Sequence, residues 1–585
     1  MQWSPTSPCW PKNKTTTITL ENFALSVLKY WAFLLAIILL VYAGFSFYQI
    51  DLPGLHYDEA FEAVPALQLL LGRPVAAFRD SVLVIGQYRL PLMTQDYIGA
   101  LNTYAAMPFI VALGATTAAL RTMSIIVGGV TLVLTFVLAR RLTGEYWVGL
   151  TATLILAVDP TFVFWNRQGM FVTAITAAIG LAATYCWLRR FQNGLQRWSI
   201  AGAFLFGLGI YAKFLFVWLI AALVGAVILL NLDWVIYRRA ELVAKKKRLP
   251  ITEALSVLLA FLLGCILLII YNLQTGGTFV NITQNASTSY YGVNNLAVGA
   301  NFLERLKQFS DFLSGAHLWY LGDVIKNSWT VLMFVVLFFW IVLLTIRMQR
   351  SANFSTMTAP YKIALFPCLV IVLLILASIG TVSALWITHF AIIMPWPALA
   401  ITVGCWFILL SQTQKTRLLA TRIFVFVGIG ILIATNLSST IRYHRALTQS
   451  GGLSSHSDAV CDLSNWLSQH AKGPVVAMDW GLAAPVTYLT GGEVTATEIF
   501  GYQWQSDVQL LERLNWSINQ PDTLYLWRSP DEIIFDRSDQ FKALYRPQNL
   551  EENIEEAFYE RSGRPILGVT RLVEKGTATN PPIGD

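Results

Sequence analysis

Charge is scarce in this chain. Only 13% of its 585 residues are Asp, Glu, Lys or Arg, against about 25% in soluble domains, which excludes an ordinary soluble fold. Cysteine is nearly as scarce. Of the six, Cys9 lies in the N-terminal tail, Cys186, Cys265, Cys368 and Cys405 fall in or near apolar runs, and Cys461 stands alone in a polar C-terminal region. One exposed thiol among buried ones makes no disulfide framework. The six histidines include no closely spaced His or Cys pair, so a zinc site has no sequence support. The glycines form no phosphate-cradling loop, and the Gly pair in QTGGTF (274–279) is isolated. There is no Ser-His-Asp arrangement, no internal repeat and no low-complexity tract. No small-residue cleavage site follows the first apolar run, Val27 to Ile50, so that run is expected to stay as a span.

Long hydrophobic stretches make up much of the rest. The chain is 55% hydrophobic and rich in Trp and Phe, residues that favour membrane interfaces. Runs able to cross a bilayer lie near 28–49, 122–139, 147–165, 170–188, 198–212, 214–233, 252–273, 329–346, 363–385, 390–411 and 419–437, about eleven in all. The net charge of +7 sits in short clusters between these runs, which marks topology and not nucleic-acid binding. Arg140/Arg141, Arg189/Arg190/Arg197, Arg238/Arg239 with Lys245 to Arg248, Arg347/Arg350 and Lys415/Arg417 fall on one side, expected to be cytoplasmic. That alternation requires 97–115 to be an interfacial or re-entrant helix. The expected organisation is a cytoplasmic tail (1–27), a transmembrane module (28–440) with outer loops 50–121 and 274–328, and a non-cytoplasmic C-terminal domain (441–585). In that domain PVVAMDW, DTLYLW and PILGVTRLV read as strands and 457–471 as a helix, giving a small α/β unit.

The residues suited to chemistry cluster on the outer side. His56-Tyr57-Asp58-Glu59 follows the first span directly. On a helix starting near Tyr57, Asp58 and Glu62 share a face. Asp58 suits a general base acting on a substrate at the membrane surface. It equally suits a helix cap, with Glu59 and Glu62 favouring the positive end of the dipole. His56 with this pair is a weak metal-ligand candidate. Arg121, Arg167 and Lys213 bring positive charge to the outer face and could hold a lipid phosphate. Asp159, inside a span, is expected to pair with Arg167. Asp96 reads as a cap of the interfacial helix or a second carboxylate of the site, and His389 as a hydrogen-bonding residue or part of the anion site.

These segments together resemble the GT-C-type glycosyltransferases, in the branch of the protein O-mannosyltransferases and lipid A aminoarabinose transferases. The resemblance is carried by HYDEAFEA, DYIGALNTYAAMPFIVALG with ALRTMSIIVGGV and LARRLTG, VDPTFVFWNRQGMFV, LGIYAKF and THFAIIMPWPALAI, in that order. It implies an α-helical polytopic enzyme using a polyprenyl-phosphate sugar. Transfer would be inverting, to an acceptor hydroxyl on a protein, lipid or glycan at the non-cytoplasmic face. Separately, no retention signal or lumenal cysteine framework appears, so a bacterial plasma membrane is the expected location. Asp58 would be the base, Glu59 its support, and Lys213, Arg167, Arg121 and His389 the phosphate-binding set. Asp96, Arg89 and His56 are secondary candidates. No cofactor is expected, with a divalent metal left open, and the partners are the lipid donor, the acceptor and membrane lipids. The chain departs from its relatives in GMFVTAIT, which lacks their carboxylate, and in RLPLMTQDY, which replaces a Lys-Pro-Pro-like segment. The competing class is a transporter or flippase of a lipid-linked or anionic solute, which should place ionisable groups near the midplane in related halves. A non-catalytic glycan receptor is a third class.

Overall fold

The computed structural model describes residues 14–231, 251–349, 354–412, 414–502 and 509–580. Cys9, Arg238/Arg239, the cluster Lys245 to Arg248 and Arg350 lie outside them. The first helix, α1 (Lys14–Phe47), contains an apolar span over Lys29–Phe47. Thr117–Thr143 (α4), Ser328–Arg347, Pro360–Ala377 and Thr416–Ser450 are also long and apolar enough to cross.

Three bent pairs are long and apolar enough when taken together, each with the form of a broken span or a re-entrant loop: Tyr146–Ala157 with Pro160–Arg167 (65°), Ile251–Gly264 with Ile266–Thr275 (63°) and Ile387–Ile393 with Trp396–Leu410 (47°). The count by length and hydropathy is therefore five single helices among the described residues, or eight with the bent pairs, where the sequence suggests about eleven spans. The first bend has a cause in sequence. Pro160 cannot donate to the preceding turn, so the helix stops and restarts, with Asp159 capping the new one through a 2.9 Å bond from the Phe162 N–H.

The segment expected to be interfacial forms α3 (Leu101–Leu113). Thirteen residues rise only about 20 Å, less than the ~30 Å hydrocarbon core. Helices Gln196–Ala212 and Ile251–Gly264 cross at Gly207 and Gly264, where an added Cβ on either would strike the other's backbone. Small residues permit such close approach.

Outside this bundle, the first loop carries helix α2 (Tyr57–Leu70), the hairpin β1 (Val82–Ile85) with β2 (Tyr88–Pro91), and the short pair β3 (Met93–Gln95) with β4 (Ile98–Gly99). The face carrying this loop is the outer face below. The C-terminal unit has one sheet of β5 (Val475–Ala477), β6 (Ala496–Glu498), β7 (Leu524–Arg528), β8 (Leu550–Tyr559) and β9 (Pro565–Glu574). Its order is β6-β5-β7-β9-β8. β5 runs parallel to β6 and β7, and β9 is antiparallel to β7 and β8. A shared apolar cluster joins this unit to the first loop: Ala484 and Tyr488 pack with Tyr57, Ala60, Leu67 and Ala106.

Candidate functional site

The site is organised by the start of α2. His56 Nδ1 accepts the Asp58 N–H (3.1 Å), and Glu59 Oε1 accepts the His56 N–H (3.4 Å), a reciprocal cap. The sequence leaves Asp58 as cap or base; here His56 takes the cap, its ring nitrogen accepting the N–H of Asp58 itself. Burial pushes the His56 ring down to about 3, with Arg528 and Arg121 adding to the effect. The ring is therefore neutral and Nδ1 stays an acceptor. Although Asp58 Oδ2 lies 3.9 Å from that nitrogen, no ion pair forms with a neutral imidazole.

Asp58 is thereby released from helix duty. Its side chain keeps 34% of its surface open within a site that otherwise buries it. Burial raises the carboxyl to about 6, with Lys213 pulling it down and Glu59 pushing it up. One turn on, Glu62 is buried and accepts from Asn102 Nδ2 at 2.8 Å. Burial pushes it up to about 8, so it is protonated at neutral pH.

Lys213 arrives from the opposite side. It sits in the break between helices Gln196–Ala212 and Phe216–Leu230, with an extended backbone (φ −155°, ψ 122°). That stretch pairs with Ile98, and the Phe214 N–H donates to the Tyr97 carbonyl at 2.8 Å. The pairing fixes Lys213 against the turn between β3 and β4. Its ammonium makes no hydrogen bond or ion pair among the described residues. Burial lowers it to about 8, while Glu62 and Asp58 hold it up. Tyr97, Tyr291 and Tyr502 all lie within the field of Asp58, and each hydroxyl is pushed above its ordinary value, mainly by burial. The site thus combines a carboxylate, an ammonium and phenols in a poorly solvated space, where charge interactions are strong.

The other basic candidates are engaged elsewhere, Arg121 throughout and Arg167 through Nη2. Arg121 is fully buried and grips Glu59 through Nε and Nη2 (3.3 and 3.2 Å). Its remaining contacts go to the Ile50 and Gly54 carbonyls. Arg167 donates to the Gln49 and Leu52 carbonyls. Both arginines therefore hold the linker that delivers Asp58. Arg167 does not pair with Asp159, which caps its own helix and accepts from Asn436; a neutral amide and a backbone N–H serve where the sequence suggested an ion pair. His389 is sandwiched between Arg305 (3.1 Å) and the Ser383 hydroxyl (3.3 Å), and it feels the charge of Lys213.

Asp96 does not cap α3. It takes a bidentate pair from Arg79 (2.7 and 2.8 Å), a bond from the Tyr271 hydroxyl (2.6 Å) and one from Asn281 (3.2 Å). It locks the first outer loop to the second. Arg89 is exposed on β2. Among the described residues no group of three or more His, Cys, Asp or Glu side chains comes together to hold a metal, and the five described cysteines are all free.

Sequence reasoning missed the cover that the C-terminal unit places over the site. Trp480 packs on Tyr57 (centroids 4.8 Å) and edge-on to His56 (5.8 Å). Glu498 accepts from the hydroxyls of Tyr57 (2.9 Å) and Tyr502 (2.6 Å). A cavity of about 260 Å³ lies beside this triad, between α2 and the C-terminal unit, with Thr94, Thr487 and Gln68 in its wall. His56 also stacks on His456 (4.4 Å), and His456 meets Gln168, which donates to Glu59. The fit is tight at Gly54, where a Cβ would collide with the Ser457 backbone. Gly54→Ala is expected to cost ~1–3 kcal/mol through overpacking, read as a lowered thermal midpoint in detergent.

The family model described as dolichyl-phosphate-mannose-protein mannosyltransferase matches residues 102–263. The crystal structure of ArnT from Cupriavidus metallidurans in the apo state superposes with a TM-score of 0.54 at 12% identity, covering 93% of this chain and 98% of that one. The same protein bound to undecaprenyl phosphate gives 0.54 and 12%, covering 92% and 98%. No curated protein sequence matches. The chain has the GT-C fold: a multi-pass helical membrane module with a C-terminal sheet domain.

Proposed function

We propose that this GT-C chain is a glycosyltransferase that moves a sugar from a polyprenyl-phosphate donor to an acceptor hydroxyl at the outer face, with inversion. The observation that carries the proposal is the division of labour at α2. His56 and Glu59 make the cap, so Asp58 stands free beside an unpaired Lys213. The undecaprenyl phosphate held by the similarly folded ArnT supports a lipid phosphate as the group that Lys213 meets.

Asp58, as carboxylate, takes the proton of the acceptor hydroxyl. The acceptor oxygen attacks the anomeric carbon from the face opposite the phosphate. The bond from that carbon to the phosphate oxygen breaks, and the phosphate leaves with the electron pair. The Lys213 ammonium balances the charge that grows there, where poor solvation strengthens the interaction. Phosphate is a good leaving group, so no strong acid is required. The face that carries the site is the non-cytoplasmic one, with the N-terminus inside.

The test is release or transfer of label from a panel of radiolabelled polyprenyl-phosphate sugars by the protein in nanodiscs, as a function of pH. Asp58 must be ionised, so kcat/KM should fall about tenfold per unit below pH 6. Lys213 must be protonated, so the rate should fall again above about pH 8. Turnover that stays level from pH 5 to 7 would remove Asp58 as the base. No turnover of any donor by folded protein would raise the transporter reading.

A further inference from the structure

A second cavity opens away from the site, between the outer ends of α1 and the last long helix, Lys415–Ser450. Its volume is about 540 Å³. Val41, Gly44, Phe45 and Ile441 form an apolar wall, and His444 and Arg445 stand at its polar end. No acidic residue lines it. The groove occupies the last turns of the apolar run that ends at Phe47. That is the depth at which lipid headgroups meet acyl chains.

Two side chains there lack protein partners. His444 is buried, with only 4% of its residue surface exposed. Phe164, Phe45 and Tyr48 pack around its ring, at 4.8, 6.0 and 5.3 Å between centroids. Neither ring nitrogen makes a hydrogen bond; the Phe45 carbonyl is close but outside bonding geometry. Burying such a group unpaired is costly, and in a folded protein it asks for a ligand. Arg445, beside it, is exposed and has no ion pair among the described residues. Behind the ring, Arg167 acts electrostatically on His444, and its Nε and Nη1 are also unbonded. The one formal charge in the groove wall, on Arg445, is positive.

We propose that this groove holds one outer-leaflet glycerophospholipid of net negative charge, with its phosphate on Arg445 and a His444 N–H and an acyl chain along Val41, Gly44, Phe45 and Ile441. A guanidinium suits phosphate oxygens, and the neighbouring apolar strip suits a chain running toward the bilayer core. The site is separate from the donor site. The linker that Arg121 and Arg167 grip lies between the groove and Asp58.

The test uses the full chain in nanodiscs of equal parts phosphatidylglycerol and phosphatidylcholine, followed by native mass spectrometry of retained lipid. The parent should keep one phosphatidylglycerol with a preference of about fivefold or more, the size expected of one basic residue at a lipid surface. Arg445→Gln should abolish the preference. Gly44→Leu should abolish retention, because its side chain fills the groove where an added Cβ meets nothing within 4 Å. Thermal midpoints in phosphatidylcholine alone should match the parent for both. If one variant fails to fold, the other decides. Equal retention of the two lipids by the parent would overturn the proposal, as would an unchanged preference in the folded variants. Displacement by equimolar undecaprenyl phosphate would overturn it in favour of the carrier lipid.

Discussion

Asp58→Asn is expected to lower sugar transfer by about 10²- to 10⁴-fold, the range for loss of a positioned general base, with no loss of fold. The amide has the shape of the carboxyl and leaves the helix start untouched, because His56 and Glu59 supply the cap. Stability should be unchanged or higher. Folding raises this carboxyl from 3.8 to about 6, so the unfolded chain loses the proton first, and the carboxyl costs stability as pH rises between those values. Asparagine removes that cost. The expected record is therefore a parental or higher thermal midpoint at neutral pH, a collapsed kcat/KM, and loss of the acidic limb of the pH profile. Near-parental transfer by Asp58→Asn would move the base elsewhere. Glu62 shares the face and the field of Lys213, but it is protonated at neutral pH, so as the base it would shift the acidic limb of the profile up to about pH 8.

The outline of this site was legible because it lies in short, charged interruptions of apolar sequence. HYDE after the first span and the lone Lys213 between two runs both stand out, and both reach the same space. What each neighbour does was not legible. Arg121 and Arg167 look like anion-binding residues by type and side of the membrane, yet each is drawn to carbonyls of the linker 49–54, contacts that no spacing announces. Arg305 was missed because FLERLKQF reads as an ordinary amphipathic surface, while the folded chain buries it against His389. The spans were legible as apolar runs, and their breaks less so: the Asp159-Pro160 bend is written in the residues, whereas the bend at Cys265 has no comparable signal. In the C-terminal unit β5, β7 and β9 were visible as apolar strands. β8 was not, because LEENIEEAFY is rich in Glu, a poor strand former; antiparallel pairing with β9 from Leu550 to Tyr559, in which Glu555 bulges out, overrides that preference. The contact of Trp480, Glu498 and Tyr502 with the site depends on how two regions dock, which lies beyond local pattern.

Glu59 provides the sharpest separation of support from chemistry. Glu59→Gln should lower stability by about 3–5 kcal/mol, the cost of leaving one partner of a buried ion pair uncompensated. Glu59 and Arg121 have side chains only 1% and 0% exposed. The amide keeps one oxygen that can accept from Arg121, but the second acceptor becomes a donor and the guanidinium loses its counter-charge, with only the Ile50 and Gly54 carbonyls beside it. Replacing both partners, Glu59→Met with Arg121→Met, removes both charges and should recover most of the loss, since apolar replacements of buried pairs are often neutral. Recovery should stop short by about 1 kcal/mol, because methionine cannot complete the cap on the His56 N–H. Activity should not return with stability. Without Arg121 the linker loses two of its carbonyl anchors, and Asp58 loses the fixed placement that positioned catalysis needs. Thermal midpoint and kcat/KM measured on the parent, Glu59→Gln and the double variant would thus diverge. Parallel recovery of both would mean that the buried pair serves stability alone.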